Sequence, residues 1–575
     1  MNISKIVYKL SLTQSRFEFT FILIWALFFP SQDTYLYFLT FGAFLSLMLI
    51  RRLWQAENVN LSVFSLMLLC FNLIFLISIF FSSYQMKSIL FFSDILLVSL
   101  YFIFLNLAPE DFHIYLSRLV YCLSLFSLIH VFLHILPIEA PKSLFLESPI
   151  HQGIASGIGV VIGFYYLIQK ITLPSVILLL VNTMGVFVSA SKAAFLGIAV
   201  CCLYMVVIKR KKWLPFVVLA VILTFIIPNP IKHMFHYSLK KDPYVLNRLD
   251  IWKMSLKIFK DHPLAGVGLD NFSSVSPKYN FKQEKGPAHY FKAPRMPHSD
   301  YFKILTETGI PGLLMLLAAL FFILRKSFST SLFDIKKILA LYLLFQSLFM
   351  NVVFFVFFFF LFVFLMKVLF EKDPTVKNIG LNHKWILSAF IASILVVLYL
   401  FPYLSQRFME QSRQSDSMTE AAGLLAKAEF LNPLNHEIFY LQARLHLKYF
   451  RERSNLDAFY SCLERAQKAQ RLNPYDVKDY LVEADLYLLV LAKKLKYAAL
   501  EQEILAPLEK AEWADPKNPF IQLKRAHLYL EFNHPRLAES AARRALKIEP
   551  DYAAALYFLH DHFNHIPDQE EFQKK

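Results

Sequence analysis

Residues 352–370 read VVFFVFFFFLFVFLMKVLF, an apolar run interrupted by a single lysine. A helix crosses the hydrocarbon core of a bilayer with about 20 mostly apolar residues, and this stretch has nearly that length. Similar runs recur throughout residues 1–402, whereas residues 403–575 have the mixed, charged composition of a water-soluble helical segment. The sequence therefore predicts an all-α protein, with a polytopic membrane domain at 1–402 and a second helical domain at 403–575.

The composition of the whole chain excludes several classes of protein. Of its 575 residues, 57% are hydrophobic and only 18% are charged, where a soluble domain has about 25% charged residues. The formal net charge of +16 is not accompanied by any nucleic-acid-binding motif. In a membrane protein, such an excess of basic residues sets the orientation of the spans and favours contact with anionic lipid headgroups. The five cysteines form no CxxC pair and predict neither a metal site nor a disulfide framework.

Thirteen apolar runs are long enough, or nearly so, to be membrane spans. They lie at 18–32, 35–50, 61–81, 89–107, 113–136, 153–169, 174–190, 193–208, 213–228, 302–324, 338–350, 352–370 and 385–402. The stretch 338–370 is either two short helices or one long tilted helix, and Asn351 with the Gln346-Ser347 pair favours a break. We therefore expect thirteen spans, or twelve if this stretch crosses once.

The distribution of Lys and Arg predicts the orientation of the spans. With a cytoplasmic N-terminus, the cytoplasmic loops carry basic groups such as Arg51-Arg52, the 209–212 cluster and Lys336-Lys337, and the opposite short loops carry few. The long loop 229–301 then lies outside the cytoplasm. Thirteen spans place the C-terminal domain on that same outer side, and twelve spans place it in the cytoplasm.

The C-terminal domain contains a repeated motif in which a small alanine precedes a proline by five residues. It occurs at 428–433, 469–474, 511–516 and 545–550, and the four prolines are separated by 41, 42 and 34 residues. The last spacing equals the period of tetratricopeptide repeats, so this domain resembles an α-solenoid of such repeats. Its concave face would bind a protein partner. The alternative is a stabilising helical appendage without a ligand.

Loop 229–301 is too long and too patterned to be a simple connector. Residues 249, 252, 256 and 259 are apolar at helical spacing, which predicts an amphipathic surface helix that ends at Pro263. A tight turn at Gly266-Val267-Gly268 follows, without the third glycine of a dinucleotide fingerprint. Basic residues outnumber acidic ones in the loop, which suits an anionic lipid-linked substrate such as a diphosphate, or simply anionic headgroups.

Four segments carry a resemblance to a known family. They are RLDIW at 248–252, HPLAGVGLDNF at 262–272, HSDYFKILTETGIPG at 298–312 and SASKAAFLG at 189–197. Their order and their membrane context resemble the O-antigen ligase/polymerase family over roughly 150–370. The resemblance implies a multi-pass protein of the bacterial inner membrane with about twelve spans and a large periplasmic loop. The C-terminal domain is also periplasmic if the chain has the thirteen spans counted above.

The resemblance also implies an activity. Members of the family move a preassembled glycan from a polyprenyl diphosphate carrier to an acceptor hydroxyl, without a metal or other cofactor. The acceptor is the lipid A core for a ligase, another glycan for a polymerase, or a protein for an O-oligosaccharyltransferase, and the shared motifs do not separate these. A non-enzymatic alternative is a membrane-anchored scaffold whose repeats recruit envelope proteins.

Five residues are candidates for the site. A guanidinium neutralises a departing diphosphate well, so we expect Arg248 to clamp it, and a histidine can relieve the acceptor hydroxyl of its proton, a role that suits His298. Lys192 stands where the family shows arginine, Glu307 would orient His298 or a basic partner, and His151 would lie near the glycan. Each also has a structural alternative, as a solvated, capping or snorkelling side chain.

Two other features of the spans lead to weaker hypotheses. His130 and His134 are four residues apart on one helical face, but no further ligand accompanies them, so no metal site is predicted. Asp94 lies inside a span, where carboxylates are usually functional or paired, and a basic residue is one candidate partner for it.

Overall fold

The computed structural model describes residues 16–25, 27, 34–56, 58–105, 112–135, 149–233, 243–281, 293–329, 331, 333–352, 355–370, 377–494 and 501–563. In this part of the chain the backbone is almost entirely helical, and the two strands that it contains form one short ladder. The all-α class predicted from the sequence is therefore confirmed.

Each of the thirteen apolar runs coincides with a helix, and a further helix lies in the long loop. The helices of this first part are α1 (16–25), α2 (Thr34–Gln55), α3 (Val63–Phe80), α4 (Gln85–Phe104), α5 (Phe112–Ile135), α6 (Pro149–Gln169), α7 (Leu173–Ser189), α8 (Lys192–Lys209), α9 (Leu214–Ile226), α10 (Pro243–Asp261), α11 (Asp300–Ser329), α12 (Ile335–Ser347), α13 (Val356–Phe370) and α14 (Lys384–Gln414). Short helical turns lie at Lys211–Trp213, Phe272–Val275 and Ser276–Tyr279.

Among the described residues, seven helices are long and apolar enough to cross a membrane: α3, α4, α5, α6, α8, α11 and α14. Helices α7 and α13 are also apolar but shorter. The chain is thus a multi-pass membrane protein. The count of twelve or thirteen spans stays a prediction, and parts of the first predicted span and of loop 229–301 fall outside the described residues.

The predicted break at Asn351 is confirmed, because α12 ends at Ser347 and α13 begins only at Val356. The backbone between them is held by a side chain rather than by a helical ladder: the Val352 amide donates to Asp300 Oδ2 at 2.9 Å. Polar groups at this depth need such partners, since the bilayer offers none. The break therefore brings the start of α11 and the α12–α13 connection together.

Two loops that the charge distribution assigns to the same side are paired in the structure. The strands β1 (Asn58–Leu61) and β2 (Lys377–Gly380) form an antiparallel pair in which Asn58 lies opposite Gly380. A second contact joins the same loops, because Lys384 Nζ donates to the Trp54 carbonyl at 3.2 Å. Both loops carry the basic residues expected in cytoplasmic segments, so the pairing agrees with the predicted alternation of the spans.

Asp94 has a partner other than a basic residue. Its Oδ1 accepts a hydrogen bond from the Tyr399 hydroxyl at 2.8 Å, and both side chains are buried. Tyr399 lies in a π-helical turn, Leu395–Leu400, within α14. Asp94 thus pairs with a tyrosine where the sequence had offered a basic residue as a candidate. A phenol satisfies the carboxylate here and ties α4 to the helix that leads into the C-terminal domain.

The C-terminal domain consists of successive helices that pack against their neighbours. They are α15 (Met418–Leu431), α16 (His436–Arg453), α17 (Leu456–Leu472), α18 (Val477–Ala492), α19 (Glu501–Ala514), α20 (Pro519–Glu531), α21 (Pro535–Ile548) and α22 (Ala553–Phe563). Each of the four repeated motifs lies at the end of an odd-numbered helix, α15 to α21, and the motif alanines are fully buried: Ala428, Ala469, Ala511 and Ala545. Each motif therefore ends a helix and places its alanine in the packed interior of the domain. The assignment to tetratricopeptide repeats stays a prediction.

Candidate functional site

The glycine turn after α10 is built onto a kink in α11. Gly309 interrupts α11 with a φ of 65°, and the carbonyls freed by the kink accept hydrogen bonds from the turn. The Val267 amide donates to the Thr306 carbonyl and the Gly268 amide to the Glu307 carbonyl, both at 3.0 Å. A Cβ on Gly266 would lie 2.3 Å from the Glu307 carbonyl carbon. The glycines thus permit a close approach between two backbones.

Replacing Gly266 with Ala should therefore destabilise the fold. Its φ of 67° disfavours any side chain, and the added methyl has backbone atoms, which cannot rotate away, in its path. We expect a loss of about 3 kcal/mol, measured as a lower unfolding midpoint of the purified protein. Gly423→Ala is the matched control, because nothing lies within 4 Å of its added Cβ and helical alanine is favoured by about 1 kcal/mol. Equal midpoints for the two variants would contradict the close approach.

Asn271 fastens the same turn to the start of α4. Its Nδ2 lies 2.7 Å from Ser82 Oγ and 2.8 Å from Ser88 Oγ, and the side chain is fully buried. The HPLAGVGLDNF segment is thus held from two sides, by α11 and by α4. This segment positions the end of α10, the helix that carries Arg248.

The buried face of α10 differs from the face that the sequence predicted. The expected stripe included Leu249 and Leu256, but these side chains are 52% and 43% exposed. The helix instead buries Ile251, Met254 and Ile258 against the turn that follows it. Helix α10 has two apolar stripes. The structure selects the one that meets other apolar side chains, leaving Leu249 and Leu256 on an outward face.

Arg248, His298 and His151 converge at one end of the helix bundle. Arg248 Nη2 lies 3.9 Å from Met350 Sδ in the α12–α13 connection, and its guanidinium acts electrostatically on His298. His151 Nε2 lies 3.3 Å from the carbonyl oxygen of the next residue in that connection, Asn351, and its ring is within electrostatic range of His298. Three residues that are distant in sequence thus line one site, and the connection between α12 and α13 forms its floor.

Among the described residues, several buried polar atoms around this site have no hydrogen-bond partner. They are Nδ1 of His151, Nδ1 of His298, Nε1 of Trp252 and both side-chain amide atoms of Asn351. Buried polar groups are normally satisfied, and leaving one unsatisfied costs about 1–3 kcal/mol. A concentration of such atoms beside a guanidinium indicates a place where water or a polar ligand binds. His298 also has a φ of 54°. This backbone conformation is rare for residues other than glycine, and it recurs at functional sites.

Lys192 begins α8 close to His151. Ser191 caps this helix by accepting from the Ala194 amide at 3.3 Å, so Lys192 occupies its first turn. Helix α6 comes very near, since a Cβ on Gly153 would lie 2.5 Å from Ser191 Cβ. The SASK segment and His151 are therefore neighbours, as a common site requires. A cation at a helix N-terminus opposes the helix dipole, which makes the position unusual for a purely structural lysine.

Glu307 belongs to a different cluster. Its two carboxylate oxygens accept hydrogen bonds from Lys303 Nζ at 2.9 Å and from the Asp270 amide at 2.8 Å. Lys303 also binds Asp270 Oδ1 at 2.9 Å, and Lys87 lies 3.4 Å from Oδ2 of that aspartate. Burial would raise the pKa of Asp270, but Lys303 and Lys87 overcome this and lower it. In the described part of the chain Glu307 thus has a basic partner, and no contact joins it to His298.

An apolar cleft opens beside the site. It has a volume of about 110 Å³ between α3, α11, α12 and α13, and its lining extends from Asp300 and Ser347 to Phe370. Apart from these two polar residues its lining is aliphatic and aromatic. Asp300 is only two residues from His298 in sequence, so the cleft begins next to the histidine. A space of this shape can accommodate an aliphatic chain that lies along the membrane helices.

Sequence reasoning missed Met350, Trp252 and the Lys87–Asp270–Lys303 cluster as parts of this region. Asn351 was noticed, but only as a helix break. The available signal was its polarity within the most apolar segment of the chain, because an intramembrane polar residue is by default a functional candidate. The pairing of Lys303 with Glu307 also had a signal, an i,i+4 spacing on one helix.

The titration of His298 gives a testable consequence. Burial, aided by the Arg248 guanidinium, lowers the pKa of His298 to about 4, so the ring is neutral at pH 7. Since the unfolded chain has the higher pKa, protons favour unfolding, and stability falls as the pH drops below about 6.5. For catalysis, the acid limb of kcat/KM that depends on His298 should lie near pH 4. A limb near pH 6.5 that disappears in His298→Gln would contradict this burial.

Residues 175–317 match a family model described as O-antigen ligase. The match includes α8 with Lys192, helix α10 with Arg248, the glycine turn, His298 and the kink of α11. It supports the family resemblance that the motifs indicated. No curated protein matches the chain.

Proposed function

We propose that the chain, of which residues 175–317 match the O-antigen ligase family model, transfers a preassembled glycan from a polyprenyl diphosphate to an acceptor hydroxyl. We propose further that the reaction needs no metal and takes place at the periplasmic face of the bacterial inner membrane. The acceptor is the lipid A core in the ligase form of this proposal.

The proposal is carried by the proximity of Arg248 to His298, which lies two residues before Asp300 in the lining of the apolar cleft. A polyprenyl diphosphate has a long aliphatic chain joined to a doubly charged group. The cleft lining, with residues such as Phe359 and Val363, complements the aliphatic chain, and the Arg248 guanidinium complements the diphosphate. The unpartnered polar atoms of Asn351 and His151 supply further hydrogen bonds for the sugar or the diphosphate.

The proposed step is a displacement at the anomeric carbon. The acceptor oxygen forms a bond to that carbon while the bond between the carbon and the diphosphate oxygen breaks. Arg248 would neutralise the charge that develops on the departing diphosphate, a role in which a planar, bidentate donor is most effective. His298 is neutral at pH 7 and would accept the proton of the acceptor hydroxyl, and the nearby diphosphate would stabilise the imidazolium that results.

The contacts of the C-terminal domain support a periplasmic position for it. Tyr475 of this domain packs against Ile251 and Phe272 of the long loop, so the domain and the loop lie on the same side. The paired loops at Asn58–Leu61 and Lys377–Gly380 carry the basic residues expected of the opposite, cytoplasmic side. This arrangement favours thirteen spans over twelve.

The test is a transfer assay with the full-length protein in liposomes. The donor is a polyprenyl-diphosphate oligosaccharide, and lipid A core, a second glycan or a serine-rich protein is offered as acceptor. We expect free polyprenyl diphosphate, and glycan attached to the acceptor, with lipid A core. Release with the second glycan or with the protein instead would identify the enzyme as a polymerase or as a protein glycosyltransferase. No release with any acceptor, although the protein is folded and binds the donor, would overturn the proposal in favour of a scaffold.

A further inference from the structure

Three turns of the C-terminal domain, those that follow α15, α17 and α19, contact the part of the protein that carries Arg248. The first is the turn between α15 and α16. There the Tyr84 hydroxyl, at the start of α4, donates to Asn435 Oδ1 at 3.1 Å, and its ring meets the ring of His436 edge-on at 4.9 Å. Burial raises the pKa of Tyr84 well above its usual value, which agrees with a desolvated contact.

The second turn, between α17 and α18, inserts an aromatic side chain into the core of the long loop. Tyr475 is only 7% exposed and belongs to the same apolar cluster as Ile251, Ile258 and Phe272. Ile251 is three residues after Arg248 and therefore lies on the neighbouring turn of α10. The domain thus supplies part of the apolar surface on which the Arg248 helix rests.

The third turn begins at the end of α19 and holds a lysine of the long loop. Lys278 Nζ lies 4.0 Å from the centre of the Trp513 ring and 5.9 Å from that of Tyr475, and the two rings are 5.0 Å apart. An ammonium over an indole face is the most favourable cation–π arrangement. Burial lowers the pKa of Lys278, against the opposing effect of Asp261. The lysine thus lies between aromatic side chains that come from two successive turns.

We propose that the C-terminal domain is an intramolecular clamp, in which Tyr475 and Trp513 are positioning residues that hold α10 and thereby fix Arg248 in the transfer site. Without Tyr475, the buried stripe of α10 would lack one side of its cluster. Without Trp513, the segment around Lys278 that follows the glycine turn would lose its attachment to the domain. The expected effect on glycan transfer rests on the proposed function. The contacts between the C-terminal domain and α10 do not depend on it.

The clamp gives three of the four repeated motifs a purpose that does not depend on an external ligand. The residues that make the contacts lie in or directly after the motifs: Asn435 follows 428–433, Tyr475 follows 469–474, and Trp513 lies within 511–516. A repeat array presents these turns at regular intervals along one edge. That edge can therefore follow an extended surface such as the outer face of the membrane domain.

The experiment uses full-length protein in liposomes and four variants. Tyr475→Ala combined with Trp513→Ala removes the clamp from the domain side, and Lys278→Met weakens it from the loop side while the aliphatic stem remains. Lys278→Arg retains the cation and should restore the contact. Tyr557→Ala is the control, since this tyrosine is an aromatic residue of the same domain that is 70% exposed. The first readout is hydrogen–deuterium exchange of residues 248–261, which needs no activity, and the second is kcat/KM for the lipid-linked donor.

The clamp predicts that exchange in 248–261 rises at least tenfold in the double variant and severalfold in Lys278→Met, with unchanged protection in α20 and α21. Transfer should fall in the same order, and Lys278→Arg and Tyr557→Ala should behave as the parent protein. Unchanged exchange in 248–261 would overturn the clamp, as would raised exchange with undiminished transfer. Raised exchange in a protein whose parent form transfers to no acceptor would uphold the clamp and refute only the proposed function.

Discussion

Arg248→Ala is expected to lower the rate of glycan transfer by about 100- to 1,000-fold while the protein remains folded in the membrane. Removal of one preorganised donor to a developing oxyanion has an effect of about this size in other enzymes. Arg248 lies beside the connection that bears Met350 and within electrostatic range of His298, so its guanidinium is already in place before a substrate binds. The loss should therefore appear mainly in kcat.

Two further variants separate the chemistry of Arg248 from general effects on α10. Arg248→Lys retains the charge but not the planar pair of donors, so its rate should be intermediate. Lys257→Ala removes an exposed charge from the same helix and should leave transfer unchanged. The measurement is release of polyprenyl diphosphate from a labelled donor in liposomes. Full transfer by Arg248→Ala would refute the role of this residue, and equal losses in Arg248→Ala and Lys257→Ala would indicate a nonspecific effect of charge.

The positions of the helices could be predicted from the sequence because hydropathy is a local property. The run 352–370 predicts a helix, which the structure forms at Val356–Phe370, and the break at Asn351 follows from the polarity of that residue. The distribution of Lys and Arg also predicts which loops lie on the same side of the membrane. The pairing of β1 with β2 agrees with it.

The contacts within the site could not be predicted in the same way. Motif order indicated that Arg248 and His298 belong together, but the α12–α13 connection that completes the site depends on how helices pack. The same holds for α10, where two apolar stripes fit the helical period and only tertiary contacts decide which is buried. Tyr475 shows the limit most clearly, because nothing near it in sequence indicates that its partners are Ile251 and Phe272.

Glu307 is the residue whose assigned role changes most when the contacts are known, since the motif predicts a catalytic group and the structure shows a network. Lys303 is bound by both Glu307 and Asp270, with side-chain exposures of 7% for the lysine and 1% for the glutamate. Removing one member of a buried ion pair leaves an uncompensated charge, at a cost of about 3–5 kcal/mol. The carboxylate also accepts from the Asp270 amide, so its loss would loosen the glycine turn as well.

Glu307→Ala should accordingly destabilise the protein by about 3–5 kcal/mol, whereas Lys303→Met combined with Glu307→Leu should recover much of this loss. The recovery is expected because the double variant removes one charge of each sign and leaves Lys87 to pair with Asp270. Asp250→Ala breaks the exposed pair with Lys253 and should cost less than about 1 kcal/mol. Unfolding midpoints in mixed detergent micelles measure all three. If Glu307 acted only in catalysis, Glu307→Ala would keep the parent midpoint while transfer was lost, and the double variant would stay inactive without any gain in stability over the single one.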